Sequence, residues 1–149
     1  QPWKAQYWVR EVMDRMYTPT PDGYCGDEDN GQTSAWYVFS AMGFYPVAPG
    51  TDEYALGSPL FKKITLNLEN GKKMVINASD NNQANRYIGS MKVNGKEYDK
   101  NYITYPMLME GGEIDLKMTD KPNMERGTSA EAAPYSFSTD ASNPVNAKK

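Results

Sequence analysis

The change in hydrophobic period near Gly50 constrains the fold of this 149-residue chain more than any other feature. Before this glycine, apolar residues recur every three or four positions, which is typical of amphipathic helices. After it they alternate with polar residues, as in the stretch ITLNL that starts at Ile64, which is typical of half-buried strands. We therefore predict an α+β fold, with two helices followed by an antiparallel, sandwich-like unit of six or seven short strands.

Two segments carry the helical pattern. The first spans residues 3–17 and should stop before Pro19, because the residue preceding a proline disfavours helical geometry. One face of it is apolar: Ala5, Val9, Val12, Met13 and Met16. The second runs from about residue 31 to residue 42, with Asp29 or Asn30 as its cap and Gly43 placed to end it in a left-handed conformation. It is apolar nearly all round, which indicates a helix buried on most sides, as in a helical barrel.

Three dipeptides punctuate the alternating region. Asn70-Gly71 and Asn94-Gly95 are strong signals for tight hairpin turns between antiparallel strands. Gly111-Gly112 stands just before the alternating run Ile114, Leu116, Met118, and it also indicates a turn. Together with the alternating runs, these turns predict short antiparallel strands.

Composition narrows the function classes. The net charge is −3 at pH 7, so the chain lacks the basic surface that neutralises a nucleic-acid backbone. No apolar run approaches the length of a membrane span. The single cysteine, Cys25, excludes an internal disulfide, and the absence of histidine excludes a Ser-His-Asp triad or a His-bearing zinc site built from this chain alone. We therefore expect neither nucleic acid nor a membrane span among its partners.

Three consecutive acids, Asp27-Glu28-Asp29, stand between glycines just before the second helix. Acids at this position commonly cap the helix or remain solvated, because the helix N-terminus carries free N–H groups and partial positive charge. Two functional interpretations remain beside that one. Carboxylate oxygens suit calcium, although the spacing of an EF-hand loop is absent, and a carboxylate held ionised at a helix N-terminus can serve as the base that activates water.

The stretch GDEDNGQTSAWYVFSAMGFYPVAPG, followed by YALGSPLF, resembles the C-terminal part of glycoside hydrolase family 92, the calcium-dependent exo-acting α-mannosidases that are abundant in gut Bacteroidetes. Weaker motifs follow in the same order along the chain: LENGKKMVINA, MKVNGKEY, GGEIDLKM and KPNMERG. The similarity covers residues 22–138. The first motif is long and unusual, so it carries most of the resemblance.

The resemblance implies an inverting reaction, in which a glutamic acid protonates the leaving oxygen and a carboxylate on the opposite side deprotonates water. By motif position the base is Asp29, Asp27 is its partner or the alternative base, and Glu28 is a spacer. The acid lies outside this chain, as do most ligands of the implied calcium ion. The implied partners are mannose-containing glycans, with α-1,2 linkages expected, and the remainder of the parent enzyme.

The domain organisation follows from the same resemblance. Residues 1–50 are expected to be the last helices of an (α/α)6-barrel catalytic domain, 51–138 an antiparallel β unit, and 139–149 a flexible tail. Gln1 already lies inside a helical pattern, which predicts a fragment of a longer protein. That fragment is expected to be inactive alone. The family implies a bacterial protein that is secreted, periplasmic or on the cell surface.

Other interpretations of the residues remain open. The strands could form a non-catalytic carbohydrate-binding unit, or the aromatic helices could mark an interaction module. Several single residues have two interpretations, a functional one and a structural one. Trp36 and Tyr37 are predicted to stack on a sugar or to lie in the core, and Gln32 to bond a hydroxyl or to be an ordinary first-turn residue. Cys25 is predicted to be a small buried residue, and Asn81, Asn82 and Asn85 to form turns rather than a ligand site.

Overall fold

The computed structural model describes residues 1–146 and confirms the α+β class. Within this range the α-helices are α1 (Pro2–Met16), α2 (Gln32–Met42) and α3 (Tyr105–Glu110), with short 3₁₀ turns at Asp29–Gly31 and Ala130–Ala132. The strands are β1 (Phe44–Tyr45), β2 (Glu53–Leu56), β3 (Lys63–Asn67), β4 (Lys73–Asn77), β5 (Tyr87–Val93), β6 (Lys96–Glu97), β7 (Tyr102–Thr104) and β8 (Gly112–Thr119). No helix in these 146 residues is both long and apolar enough to cross a bilayer.

Both predicted helices are confirmed, and local sequence explains their ends. Pro2 stands in the first turn of α1, where its missing N–H costs nothing, and Tyr17 leaves the helix in an extended conformation before Pro19. Gly43 ends α2 at φ +99°, and its N–H donates to the carbonyls of Phe39 and Ser40. A Cβ at Gly43 would also meet Pro59 N at 3.1 Å, so glycine satisfies both the turn and the packing.

The strands form two sheets, and one of them is not purely antiparallel. The first is three-stranded and antiparallel, in the order β1-β2-β7, and the second is five-stranded, in the order β3-β4-β8-β5-β6. In the second sheet β4 and β8 run parallel, with Ile76 opposite Ile114. The expectation of antiparallel strands throughout is therefore wrong for this pair. Sequence alternation reports which face of a strand is buried, but it does not report the direction of its neighbour.

The segment that leads into β8 explains how β8 comes to lie parallel to β4. Asn70-Gly71 joins β3 to β4 and Asn94-Gly95 joins β5 to β6, as predicted. Gly111 instead follows helix α3, and a Cβ there would meet the Lys73 carbonyl oxygen at 2.6 Å. The two glycines at the start of β8 thus allow the chain to come off α3 and lie directly against the start of β4.

One hydrophobic core lies between the two sheets and under α2. The alternating apolar residues of β4 and β8 are buried there, as the period-two pattern predicts: Met74, Ile76, Ile114, Leu116 and Met118. Ile88 and Met91 of β5 are buried in the same core, although a register shift between Ile88 and Ser90 breaks the alternation of that strand. Ile103 of β7 is fully buried in the same cluster, with Phe44 of β1. The rings of Phe39 and Tyr54 stack at 6.2 Å and join α2 to the three-stranded sheet.

Helix α1 docks on the five-stranded sheet through polar side chains. Gln6 accepts a hydrogen bond from the Ile88 amide at 3.0 Å, and Arg10 donates to the Pro59 carbonyl at 2.8 Å and to Asn81 at 2.9 Å. Burial lowers the pKa of Arg10. The expected apolar face of α1 is not its most buried one, since Met16 is 49% exposed while these polar residues are buried.

An ion pair completes this interface. The Glu11 carboxylate binds Arg86, which directly precedes β5, and Arg15 Nε, the latter at 2.7 Å. The Arg86 guanidinium lies 5.4 Å from the centre of the Tyr7 ring. Glu11 and Arg86 are each only 8% exposed. Because hydrogen bonds are directional and buried charges need their partners close by, the network sets one register between α1 and the sheet, and thereby fixes where the loop after α1 begins.

Candidate active site

The acidic cluster lies on the loop between α1 and α2, which aromatic rings hold against α2. The Tyr17 ring lies 5.7 Å from Trp36, 4.9 Å from Tyr37 and 5.9 Å from Tyr24. Burial, followed by a hydrogen bond with Cys25, raises the pKa of Tyr17 to about 12. The loop therefore has a packed base, from which the acids emerge into solvent.

The backbone of the cluster adopts an uncommon conformation. Asp29, Asn30 and Gly31 follow one another with φ of +54°, +58° and +101°. Two successive non-glycine residues in the left-handed region are rare, and each costs on the order of 1 kcal/mol unless its surroundings compensate. Such strain is more frequent at functional sites, where it aims a side chain that ordinary helix entry would place elsewhere.

Glu28, rather than Asp29 or Asn30, supplies the carboxylate that caps the start of α2: it is the N-cap residue of the 3₁₀ turn Asp29–Gly31 and also binds an amide in the first turn of α2, whose own N-cap residue is Gly31. Its carboxylate accepts hydrogen bonds from the Gly31 amide, from the Ser34 amide at 3.1 Å and from the Ser34 hydroxyl. These bonds, with the Ser34 hydroxyl first, lower the pKa of Glu28. The cap is therefore present above the ordinary glutamate pKa and is lost as pH falls through the lowered value. The predictions of an Asp29 or Asn30 cap and of Glu28 as a spacer are both wrong.

The two aspartates of the cluster remain available. Both are exposed, and within residues 1–146 neither carboxylate has a hydrogen-bond partner or an ion-pair partner. Asp27 is held only by its backbone, since its carbonyl accepts the Thr33 hydroxyl at 2.8 Å. The three acids thus differ in what they contact: the middle one is bound to the helix, and the outer two are free to meet a water molecule, a substrate or an ion.

A cleft of about 440 Å³ adjoins the capped turn. It is lined by Tyr17, Thr18, Pro19, Tyr24, Ser34, Tyr37 and Val38. The Tyr24 hydroxyl lies 2.9 Å from Ser34 Oγ, so the cleft wall and the Glu28 cap share a hydrogen-bonded side chain. Sequence reasoning did not single out Tyr24 or Ser34, because the usual capping box has a serine or threonine as the cap and an acid three residues later, the reverse of the order here.

The minor candidates have structural roles. Trp36 and Tyr37 are half-buried against Tyr17, so their rings already have a protein partner, and Gln32 donates to the Tyr45 hydroxyl. Cys25 is exposed, which makes the prediction of a buried cysteine wrong.

Asn82 and Asn85 make local turn bonds, as predicted, whereas the Asn81 side chain binds distant parts of the chain. Asn82 Oδ1 accepts the amides of Ala84 and Asn85 at 2.8 and 2.9 Å. Asn81 is buried and binds the Pro59 carbonyl at 3.0 Å. Their donors and acceptors are thus used by the protein itself.

The described residues do not by themselves form a metal site. Among residues 1–146 no group of three or more histidine, cysteine, aspartate or glutamate side chains converges as metal ligands would. Calcium takes six to eight oxygen ligands, and Asp27 and Asp29 could supply only part of that set.

Comparison with known proteins decides the family. Residues 1–120 match the family model described as the glycosyl hydrolase family 92 catalytic domain. The chain belongs to glycosyl hydrolase family 92. This match covers α1, α2 and α3, the acidic cluster and all the strands of the described residues, so the relationship does not depend on the cluster alone.

Solved structures of the family share the fold. An inverting mannosidase of family 92 from Bacteroides thetaiotaomicron is 58% identical, with a TM-score of 0.87 over 93% of this chain. A family 92 α-mannosidase from the same organism is 45% identical, with a TM-score of 0.86, and one of its structures contains mannoimidazole. The chain spans 19% and 18% of the length of these two proteins.

A curated relative extends the family beyond these structures. It is an uncharacterized secreted glycosidase from Arthroderma benhamiae, 30% identical over 124 residues, which are 81% of this chain and 16% of that protein. The similarity of this chain to glycoside hydrolases thus holds at widely different levels of identity.

Gly31→Ala is expected to lower the free energy of unfolding by about 1–2 kcal/mol, because alanine is strained at a positive φ. A Cβ at Gly31 meets nothing within 4 Å, so the backbone conformation alone accounts for the loss. Gly26→Ala is the matched control, since Gly26 is equally open but has no positive φ. Urea unfolding of the two variants measures the difference, and equal stabilities would contradict the left-handed turn.

Proposed function

We propose that this chain supplies the water-activating side of the active site of an inverting α-mannosidase. Asp29 is the general base, with Asp27 as its partner or as the alternative base. The observation that carries the proposal is the free, exposed state of both aspartates on a turn that Glu28 holds in place. The 58% identical relative is an inverting mannosidase, which supports the same reaction.

The chemistry requires a second carboxyl group outside this chain. In an inverting glycosidase the base draws a proton from water while an acid protonates the leaving oxygen, and the two carboxyls stand about 6.5–9.5 Å apart. Asp29 has no hydrogen-bond donor within the described residues that would compete for its lone pairs, which suits a group that must accept a proton from water. The chain alone is therefore expected to hydrolyse no mannoside.

The remaining features of the parent enzyme are proposals from the resemblance. Helices α1 and α2 are the last helices of an (α/α)6 barrel, and the rest of that barrel supplies the acid. Calcium is the proposed cofactor, with most of its ligands outside this chain. The substrates are mannose-containing glycans, with α-1,2 linkages, and the protein is secreted, periplasmic or on the surface of a bacterium.

Release of mannose from α-1,2-mannobiose by the full-length protein tests the proposed function. We expect turnover that is lost with EDTA and restored by added calcium, because the proposed ion holds the sugar in the pocket. Mannobioses with α-1,3 and α-1,6 linkages measure the linkage preference. An enzyme with full activity in EDTA would refute the calcium proposal, and one that releases no mannose from any α-mannoside would refute the proposed reaction.

A further inference from the structure

Glu28 is bonded across the turn that carries Asp29. One of its carboxylate oxygens accepts the Gly31 amide, and the other accepts both the amide and the hydroxyl of Ser34. Every donor lies beyond Asp29 in the chain. The carboxylate thus closes a ring over Asp29 and Asn30, two successive non-glycine residues with left-handed backbone.

In the hydrogen bonds of the Ser34 and Tyr24 hydroxyl groups, beside this ring, the donor and the acceptor can be assigned. Ser34 has a single hydroxyl hydrogen, which it donates to Glu28. The Tyr24 hydroxyl, 2.9 Å from Ser34 Oγ, must then be the donor in their shared bond. This chain of donors joins the turn to the cleft wall, and through the contact of Tyr24 with Tyr17 to the packed base of the loop.

We propose that Glu28 is a positioning residue, which holds the strained turn so that the Asp29 carboxylate points free of the helix towards the water it activates. The inference rests on the proposed function of Asp29. Strained backbone persists only where its surroundings over-determine it, and charge-assisted hydrogen bonds are the strongest such constraint in the described part of the loop. Without them the segment can relax into ordinary helix entry, with Asp29 itself as the cap.

The consequence is a loss of catalysis rather than of substrate binding. A displacement of about 1 Å at a catalytic group costs on the order of 100-fold in rate. Glu28 does not itself need to touch the sugar for this effect. A change at Glu28 should therefore lower kcat and leave KM nearly unchanged.

The variants Glu28→Gln and Ser34→Ala of the full-length protein test this. A glutamine keeps one acceptor oxygen and turns an N–H₂ group towards one of the donors that Glu28 now satisfies. Ser34→Ala removes one of the three bonds and keeps the carboxylate. Glu69→Gln is the matched control, because Glu69 is exposed in the β3–β4 turn and has no hydrogen bond within residues 1–146.

Three quantities are measured for each variant: kcat and KM for mannose release, the folded fraction by circular dichroism, and amide hydrogen exchange of the segment 29–34. Glu28→Gln is expected to lower kcat about 10–100-fold with KM within about threefold, at an unchanged folded fraction, and to speed exchange in the segment. Ser34→Ala should lower kcat about three- to tenfold, and Glu69→Gln should match wild type.

The inference is overturned if Glu28→Gln keeps wild-type kcat, or if kcat falls only in proportion to the folded fraction. A fall in kcat with unchanged exchange in segment 29–34 would also overturn it, because Glu28 would then act on the reaction without holding the turn. If the wild-type protein released no mannose, the proposed function would fail separately. Hydrogen exchange would then decide alone, and unchanged protection in Glu28→Gln would end the proposal.

Discussion

Asp29→Asn in the full-length protein is expected to lower kcat about 10²–10⁴-fold, with a KM close to that of wild type. Asparagine has nearly the same size as aspartate but cannot accept the proton of the attacking water, and a general base contributes a factor of this order. Because the Asp29 side chain has no hydrogen-bond partner within residues 1–146, the replacement should not disturb the fold. Initial rates of mannose release measure the effect, and circular dichroism checks the fold.

Two further variants make the assignment specific. Asp22→Asn changes an exposed acid of the same loop and should keep wild-type kcat. Asp27→Asn separates the two candidates, because the larger loss of kcat marks the residue that takes the proton. Full activity of Asp29→Asn together with a loss in Asp27→Asn would transfer the role to Asp27, and full activity of both would remove the base from this loop.

Azide offers an independent test of the same role. As an anion it needs no general base, so it can attack the sugar directly while the acid protonates the leaving oxygen. Azide should therefore restore turnover to Asp29→Ala and yield the β-mannosyl azide, the product of inversion. A variant that azide does not rescue would have lost something other than its base.

Glu11→Ala is expected to lower the free energy of unfolding of the chain by about 3–5 kcal/mol, the largest stability effect that we predict. Arg86 would then remain only 8% exposed at the interface of α1 with the sheet, without its carboxylate partner. Removing one member of a buried ion pair costs this much because the other charge stays desolvated. Urea unfolding of the 149-residue chain measures the loss.

Two controls separate burial from charge pairing as such. The double variant Glu11→Met with Arg86→Met should recover much of the loss, since apolar groups of similar volume leave no unpaired charge. Glu97→Ala breaks the pair between Lys92 and Glu97, whose side chains are 49% and 72% exposed, and should cost about 0–1 kcal/mol. Equal losses in Glu11→Ala and Glu97→Ala would show that the α1 interface is open to water in solution.

The elements that local sequence controls were predicted well. The two helices, the hairpin turns at Asn70-Gly71 and Asn94-Gly95, and the buried alternation of β4 and β8 all depend on residues within a few positions of one another. The family was also visible, because the motif around the acidic cluster is contiguous in the chain. The roles of Asp27 and Asp29 stay predictions, which the variants above test.

Tertiary structure decided the features that join distant parts of the chain. The parallel pairing of β4 with β8 connects residues nearly forty positions apart, and alternation is the same for either strand direction. The polar docking of α1 depends on Asn81 and Arg86, which no helical period could reveal.

The role of Glu28 as the helix cap shows the same difference between local sequence and tertiary structure, within a few residues. The sequence by itself determined that an acid would stand at the start of α2, because three of them precede it and the helix N-terminus attracts negative charge. Which acid is bound depends on the left-handed turn at Asp29 and Asn30, since that turn brings the Gly31 and Ser34 donors to Glu28. Backbone conformation is a property of the folded loop, with its Tyr17 and Tyr24 packing, and only the tertiary structure supplies it.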